Sequence, residues 1–278
     1  MLFLSCNWIF YLCRVKNLND IIHPIAAELQ QFEAFFGQTL KAETEPMNSI
    51  IRYVSDTRGK RLRPILVLLG AKLFGEVNGQ TLRAATFVEM VHSATLIHDD
   101  VVDDSDQRRS KASVKAQFGN LSAVLAGDYL LAKAMLLLSH PDDYAILQEM
   151  LRTTAAMSEG ELMQNIFADC VPQLEKTTKY LDIITRKTAR LMRSCCAAGA
   201  MSVEATPEQV QHIADFGLNF GILFQLRDDM LDSENTEQAK VLLPEYLQKT
   251  LGTLKHFPES ETLEALRNLT VFCAERKE

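Results

Sequence analysis

Five aspartates and two arginines crowd the stretch His92-Ser-Ala-Thr-Leu-Ile-His-Asp-Asp-Val-Val-Asp-Asp-Ser-Asp-Gln-Arg-Arg109, immediately after an apolar run with helical spacing. Positions four apart share a helix face, so Asp99 and Asp103 point one way and Asp100 and Asp104 form the adjoining strip. His92 lies two turns earlier on the first face. Carboxylates stacked like this repel, by roughly 0.2–0.5 kcal/mol per exposed pair and by more where burial lowers the dielectric. A cation relieves the repulsion. Hard oxygen ligands suit Mg²⁺, which keeps most of its waters and shares one or two carboxylates with substrate phosphates. Taken alone, such an acidic helix end is more often solvated surface.

A second copy changes the reading. Phe216, Phe220, Leu223 and Phe224 lead into Gln225-Leu-Arg-Asp-Asp-Met-Leu-Asp232, where Asp228 and Asp232 repeat the four-residue spacing and Gln225 sits one turn earlier. Two apolar helices ending in Asp-Asp-x-x-Asp form a metal clamp. Facing each other across a cavity, they would hold Mg²⁺ around one diphosphate, while Lys60, Arg63, His92, Arg108 and Arg109 supply positive charge for a second. Removing a diphosphate from an allylic carbon leaves a carbocation, and metal plus cationic side chains stabilise the departing charge. An apolar cavity would shelter the cation and receive a growing hydrocarbon tail.

The elements that must position these groups are helical. Only twelve glycines and eight prolines punctuate 278 residues, and nearly every long apolar pattern has helical period. The chain reads as all-α, a single domain over residues 17–278 with no repeat or linker. Residues 1–16 form an apolar arm without a basic start and too short to cross a bilayer. A first helix is expected over Asn19 to Leu40. Asp56-Thr-Arg-Gly-Lys-Arg-Leu-Arg-Pro64 then places four cations before a helix opened by Pro64, where free N–H groups already favour an anion; the plainer alternative is a solvated basic loop.

Asn78-Gly79 starts a long central helix carrying Phe87, Val91, Ala94 and Ile97 to the aspartates. His98 on it reads as a satisfied core histidine and His92 as a hydrogen-bond donor to phosphate. Leu121 to Ser139 reads as a core helix, followed by helices over Tyr144 to Phe167 and Leu174 to Ala200. The last of these carries the polar pair Lys187-Thr188, for which a snorkelling surface lysine is the bland alternative. Thr206-Pro-Glu-Gln209 is a capping-box start.

Net charge −7 and pI near 5.5 argue against a nucleic-acid partner. The six cysteines, Cys6, Cys13, Cys170, Cys195, Cys196 and Cys273, lack zinc-like spacing and read as small apolar residues in a reducing cytoplasm. No transmembrane segment is expected.

These motifs resemble the trans-isoprenyl (polyprenyl) diphosphate synthase family: Gly59-Lys-Arg-Leu-Arg-Pro64, His92 to Arg109, Ala126-Gly-Asp-Tyr-Leu130, Lys187-Thr188 and Phe224 to Asp232. The resemblance covers most of the chain from about Asn19. It implies a bundle of antiparallel helices around a deep central cavity, a homodimer, and Mg²⁺-dependent addition of isopentenyl diphosphate to an allylic prenyl diphosphate. It also implies peripheral membrane contact through the product. Carried over by position, Asp99, Asp103 and Asp228 are metal ligands, with Asp232 a weaker candidate, and Arg108 contacts the allylic diphosphate. Lys60, Arg63, His92 and Arg109 hold isopentenyl diphosphate, and Lys187, Thr188 and Gln225 line the allylic side. Ala94 and Thr95 stand where short-chain members place aromatics, so the resemblance leans to a long-chain, octaprenyl-like product.

The pattern departs from the family after Asp232. A glycine- and lysine-containing loop and further helices are expected there, whereas Ser233-Glu-Asn-Thr236 runs almost directly into residues 238–278. Either the chain is shortened or the sequence joins pieces across a mobile diphosphate-closing loop; the intact mass distinguishes them. Ser110 replaces the glycine that usually follows the paired arginines. Three rival readings follow: a non-catalytic prenyl-diphosphate-binding or regulatory subunit, a metal phosphohydrolase using His98-Asp99, and a terpene cyclase. Six scattered histidines disfavour the second, and the complete second motif with basic residues upstream disfavours the third.

Overall fold

A computed structural model describes residues 17–56, 59–167, 176–232 and 236–276. The arm over 1–16 and the junction at 233–235 lie outside the described residues, as do Cys6, Cys13 and Cys170. Pro24 divides the first expected helix: α1 (Leu18–Ile21) gives way to a 3-10 turn over His23–Ile25 before α2 (Ala26–Thr39). Proline lacks the N–H that a continuous helix needs, and its ring collides with the preceding turn. An amphipathic helix not expected above, α3 (Glu45–Ser55), follows with Pro46 in its first turn.

Then come α4 (Leu62–Lys72) and the 24-residue α5 (Gly79–Val102), which carries the first acidic motif. Asn78 caps α5 by accepting from the Gln80 and Thr81 N–H groups, and Thr81 Oγ1 accepts in turn from the Asn78 backbone N–H. A hairpin of two-residue strands, β1 (Gln107–Arg108) and β2 (Lys111–Ala112), is the strand pairing among the described residues. Arg109 and Ser110 turn it with φ of 50° and 63°, the left-handed conformation that two-residue loops demand and that glycine adopts without strain.

The remaining helices are α6 (Val114–Phe118), α7 (Asn120–Leu137), α8 (Tyr144–Phe167), α9 (Lys176–Ile184), α10 (Arg190–Met201), α11 (Pro207–Leu231), α12 (Thr236–Thr253) and α13 (Glu261–Glu275). A π turn over Thr185–Ala189 joins α9 to α10, interrupting the helix expected over 174–200 at its polar pair. The Thr206 capping box opens α11 as expected, with Thr206 Oγ1 accepting from the Gln209 N–H and Gln209 Oε1 from the Thr206 N–H.

Helix α10 sits at the centre, packed against α4, α5, α8 and α11. Its crossings are so close that glycine is required. A Cβ on Gly199 would lie 2.2 Å from the Val67 carbonyl oxygen of α4, and one on Gly221 of α11 would lie 2.5 Å from Ala189 Cα. These contacts fix the site, because α4 follows the basic loop, α10 follows Lys187-Thr188 and α11 ends in the second acidic motif.

One expectation fails on α7. It is not a core helix: only Ala123, Ala126, Gly127, Leu130 and Ala134 are buried, while Leu121, Leu125 and Leu136 are exposed. By length and composition it is the one candidate membrane span among the described residues, yet 28% of it is buried within the fold.

Candidate active site

Neighbouring aspartates divide their labour because successive helix residues point about 100° apart. At the end of α5, Asp99 is half-buried and its carboxyl is pushed up to about 6. Burial is the main cause, Glu161 and Asp103 add to it, and Lys187 and Arg108 oppose it. Asp100 instead is buried and accepts from Arg108 Nε at 2.8 Å and Nη2 at 2.5 Å, which pins the hairpin to the helix. Asp103 is exposed and its N–H bonds the Asp99 carbonyl at 2.8 Å. Asp104 pairs with Lys115, which also approaches Asp106 at 3.3 Å. Those last two acids therefore brace the loop.

The same division recurs at the end of α11. Asp228 is half-buried and carries the Arg276 guanidinium on Oδ1. Burial raises its pKa despite Arg276, with Asp232 adding to the rise. Asp229 is buried and accepts from the Tyr180 hydroxyl at 2.5 Å and Gln225 Nε2 at 2.7 Å. Gln225 Oε1 in turn accepts from the Thr188 hydroxyl at 2.8 Å. Thr188 and Gln225 thus tie the π turn to α11. Asp232 is exposed at the helix end, its N–H on the Asp228 carbonyl at 2.9 Å.

Lys187 does not snorkel to the surface. Its ammonium stands 2.7 Å from Glu161 and 3.2 Å from Gln164 on α8, and the electrostatic coupling of Asp99 to Lys187 and Glu161 brings α5, α8 and the π turn to one place. Glu161 and Gln164 escaped the sequence reading, although their one-turn spacing beside Gly160 in a long helix is a usable signal. Arg276 had no local signal.

The basic side gathers separately. Arg61 adopts φ 53° ahead of α4, pairs with Glu33 at 2.9 Å and buried Glu89 at 2.6 Å, and lies over the Phe36 ring, so it braces the loop. Lys60, Arg63, His92 and Arg109 line one cleft together with Arg276 and Phe224. Arg63 Nε is shielded from solvent without a hydrogen-bond partner. The Arg109 guanidinium lies so close to Gly59 that a Cβ there would be 2.7 Å from Nη1. Burial, then Arg63, Arg109, Arg108 and Arg61, hold His92 well below the usual histidine range, so at neutral pH it offers one N–H without adding charge. An apolar pocket beneath the same residues continues between Phe36, Ile51, Leu96 and Leu130.

His98 packs against α7 but is half-buried rather than in the core expected of it. Its ring fills the space a Cβ on Gly127 would need and its Nε2 lies 3.1 Å from the Val124 carbonyl oxygen. Ala94 is buried in the core, and Thr95 is half-buried with its hydroxyl on the His92 carbonyl at 3.0 Å.

Among the described residues no three acidic, histidine or cysteine side chains converge as a preformed metal cluster. Mg²⁺ needs one or two carboxylates and takes its other oxygens from water and phosphate. The upward shift of Asp99 comes chiefly from burial, with the negative charges of Glu161 and Asp103 adding to it, and these oxygen donors fit a hard cation.

An all-α scaffold with two Asp-Asp-x-x-Asp helix ends and a cationic cleft is the architecture of isoprenoid synthases. The chain belongs to the polyprenyl synthetase family, whose model matches residues 44–241. Octaprenyl diphosphate synthase of Escherichia coli (strain K12) is 32% identical over 216 residues, 78% of this chain and 66% of that protein. The Haemophilus influenzae octaprenyl diphosphate synthase is 38% identical over 225 residues, 81% and 68%. The chain thus spans about two thirds of the length of these curated relatives. A solved polyprenyl synthase from Caulobacter crescentus CB15, complexed with calcium and isoprenyl diphosphate, superposes with a TM-score of 0.87 at 25% identity over 95% of this chain and 99% of that one.

Proposed function

We propose that this chain adds isopentenyl diphosphate head-to-tail to an allylic prenyl diphosphate, making a longer trans-polyprenyl diphosphate. The observation that carries the proposal is the pairing of two half-buried aspartates whose pKa burial raises, Asp99 and Asp228, with a cleft of Lys60, Arg63, His92 and Arg109. The allylic C–O bond breaks with its electron pair on the diphosphate, the isopentenyl double bond attacks the carbocation, and loss of a proton restores the alkene. Asp99, Asp103 and Asp228, with Asp232 alongside, would hold Mg²⁺, which when bound draws off the charge of the leaving diphosphate. Arg108 and Lys187 add fixed positive charge there, oriented by Asp100 and by Glu161 and Gln164. Neutral His92 orients the second diphosphate without attracting an unwanted proton. Purified chain given isopentenyl diphosphate, an allylic primer and Mg²⁺ is expected to release diphosphate and lengthen the primer. Binding without turnover would overturn the proposal in favour of a regulatory subunit.

The product is long-chain on this reading, as Ala94 and Thr95 are small where aromatics would shorten the chain, and the two curated relatives above are octaprenyl diphosphate synthases. Thr95→Phe is expected to shorten the product by several isoprene units in chromatographic sizing. Ala94→Phe acts likewise, at about 1–3 kcal/mol of stability because Ala94 is enclosed. A farnesyl-length product from the parent would contradict the long-chain reading.

The chain works as a homodimer. Leu121, Leu125 and Leu136 of α7 are 75%, 53% and 71% exposed, and Leu162 and Ile166 of α8 add to the apolar surface. Such a face in one chain calls for a cover, and a second copy supplies one of matching character. Sedimentation is expected to give a dimer that Leu125→Arg dissociates; a monomeric parent at micromolar concentration would count against it. Buried, free Cys195, Cys196 and Cys273 accord with a cytoplasmic location.

A further inference from the structure

The end of α13 enters the site beside the second acidic motif. The Arg276 N–H bonds the Phe272 carbonyl at 3.0 Å, and its own carbonyl accepts from Arg227 Nε at 2.8 Å and Nη2 at 2.5 Å. With its backbone gripped on both sides, the side chain is the part that can turn. The guanidinium lies 4.1 Å from the centre of the Phe224 ring and donates to Asp228, while Nε is shielded from solvent with no hydrogen-bond partner. The same side chain lines the cleft that holds Lys60, Arg63, His92 and Arg109.

A monovalent cation is therefore seated on a carboxylate read above as a ligand for a divalent one. Both cannot use that Oδ1 at full strength, because the guanidinium and the metal would repel across it. The cleft that Phe224 and Arg276 line with Lys60 and Arg63 is where a further positive charge gains most once a diphosphate arrives. Phe224 offers a flat face along which a guanidinium can slide without losing its cation–π contact.

We propose that Arg276 is an exchangeable counter-cation. It neutralises Asp228 while no metal is bound, and a divalent ion arriving at Asp228 turns its guanidinium across Phe224 towards Lys60 and Arg63, where it helps hold a diphosphate. Metal binding at the second motif and anion binding in the basic cleft are thereby coupled through one side chain. The inference rests on the reading of Asp228 as a metal ligand.

The test measures Mn²⁺ binding by the loss of the free-ion electron paramagnetic resonance signal, with and without inorganic diphosphate. Without diphosphate, Arg276→Gln is expected to bind Mn²⁺ about tenfold more tightly than the parent, within the usual range of coupling between sites. Arg276→Lys is expected to stay near the parent. Diphosphate is expected to tighten Mn²⁺ binding in the parent far more than in Arg276→Gln. Should Arg276→Gln fold poorly, Arg227→Gln, which releases the Arg276 carbonyl, is expected to shift Mn²⁺ affinity in the same direction by about threefold. A purely structural prop would leave metal affinity unchanged or weaker in these variants, and that result overturns the proposal. An Asp228→Ala control separates the two levels: if it binds Mn²⁺ as well as the parent, the ligand reading itself falls. If it loses affinity while Arg276→Gln matches the parent, only the exchange is wrong.

Discussion

Asp99→Asn is expected to melt higher than the parent in metal-free buffer at pH 7.5 and, with Mg²⁺ and substrates supplied, to turn over about a thousandfold more slowly. The Asp99 carboxyl titrates near 6 when folded against 3.8 in the unfolded reference, chiefly because burial penalises the charged form. Between those values the folded chain holds a proton that the unfolded chain has lost, so stability falls as pH rises from about 4 to about 6 and stays lower above. Asparagine carries no such penalty. Its advantage is therefore expected above pH 6 and should fade towards pH 4 in thermal melts. Mg²⁺ should raise the melting temperature of the parent more at pH 7.5 than at pH 5, and should do so much less in the variant. Gaining stability while losing activity marks a group held charged for function. A variant that melts lower at pH 7.5 would show that Asp99 is a packing residue.

The second large effect lies outside the charged site. Gly199→Ala places a methyl carbon 2.2 Å from the Val67 carbonyl oxygen and 2.8 Å from the Ala71 nitrogen, and neither backbone can yield without moving α4. Overpacking of this kind costs about 3 kcal/mol or more, on the order of 10 °C in melting temperature for a chain of this size. Because α4 follows the basic loop and α10 follows the π turn that holds Lys187, separating them also pulls the diphosphate grips apart. The KM for isopentenyl diphosphate is thus expected to rise even at temperatures where the variant is folded. An unchanged melting temperature would mean that the crossing is looser than the structure has it.

What the sequence made legible follows from how local each signal was. The helix start after Asn78, the capping box at Thr206 and the two acidic helix ends depend on neighbours within one turn, and all stand where spacing puts them. The roles of Asp100 and Asp229 were not legible. Spacing shows that adjacent aspartates face apart, but not which of them meets Arg108 or Tyr180 from another element. Lys187 was ambiguous for the same reason, since Glu161 and Gln164 lie more than twenty positions away on α8. Helix α7 misled because apolar composition is the same whether a face meets its own fold or another surface. Arg276 lies forty-eight positions from Asp228, with no pattern at either end to link them.

Elongation by matched preparations of the parent, Asp99→Ala and Asp228→Ala, supplied with labelled isopentenyl diphosphate, an allylic primer and Mg²⁺, tests the central claim most directly. The expected result is a ladder of longer prenyl diphosphates from the parent and essentially none from either variant, although each variant still melts cooperatively. If either alanine variant extends the primer as fast as the parent, the two acidic helix ends are not the metal-holding pair and the account fails.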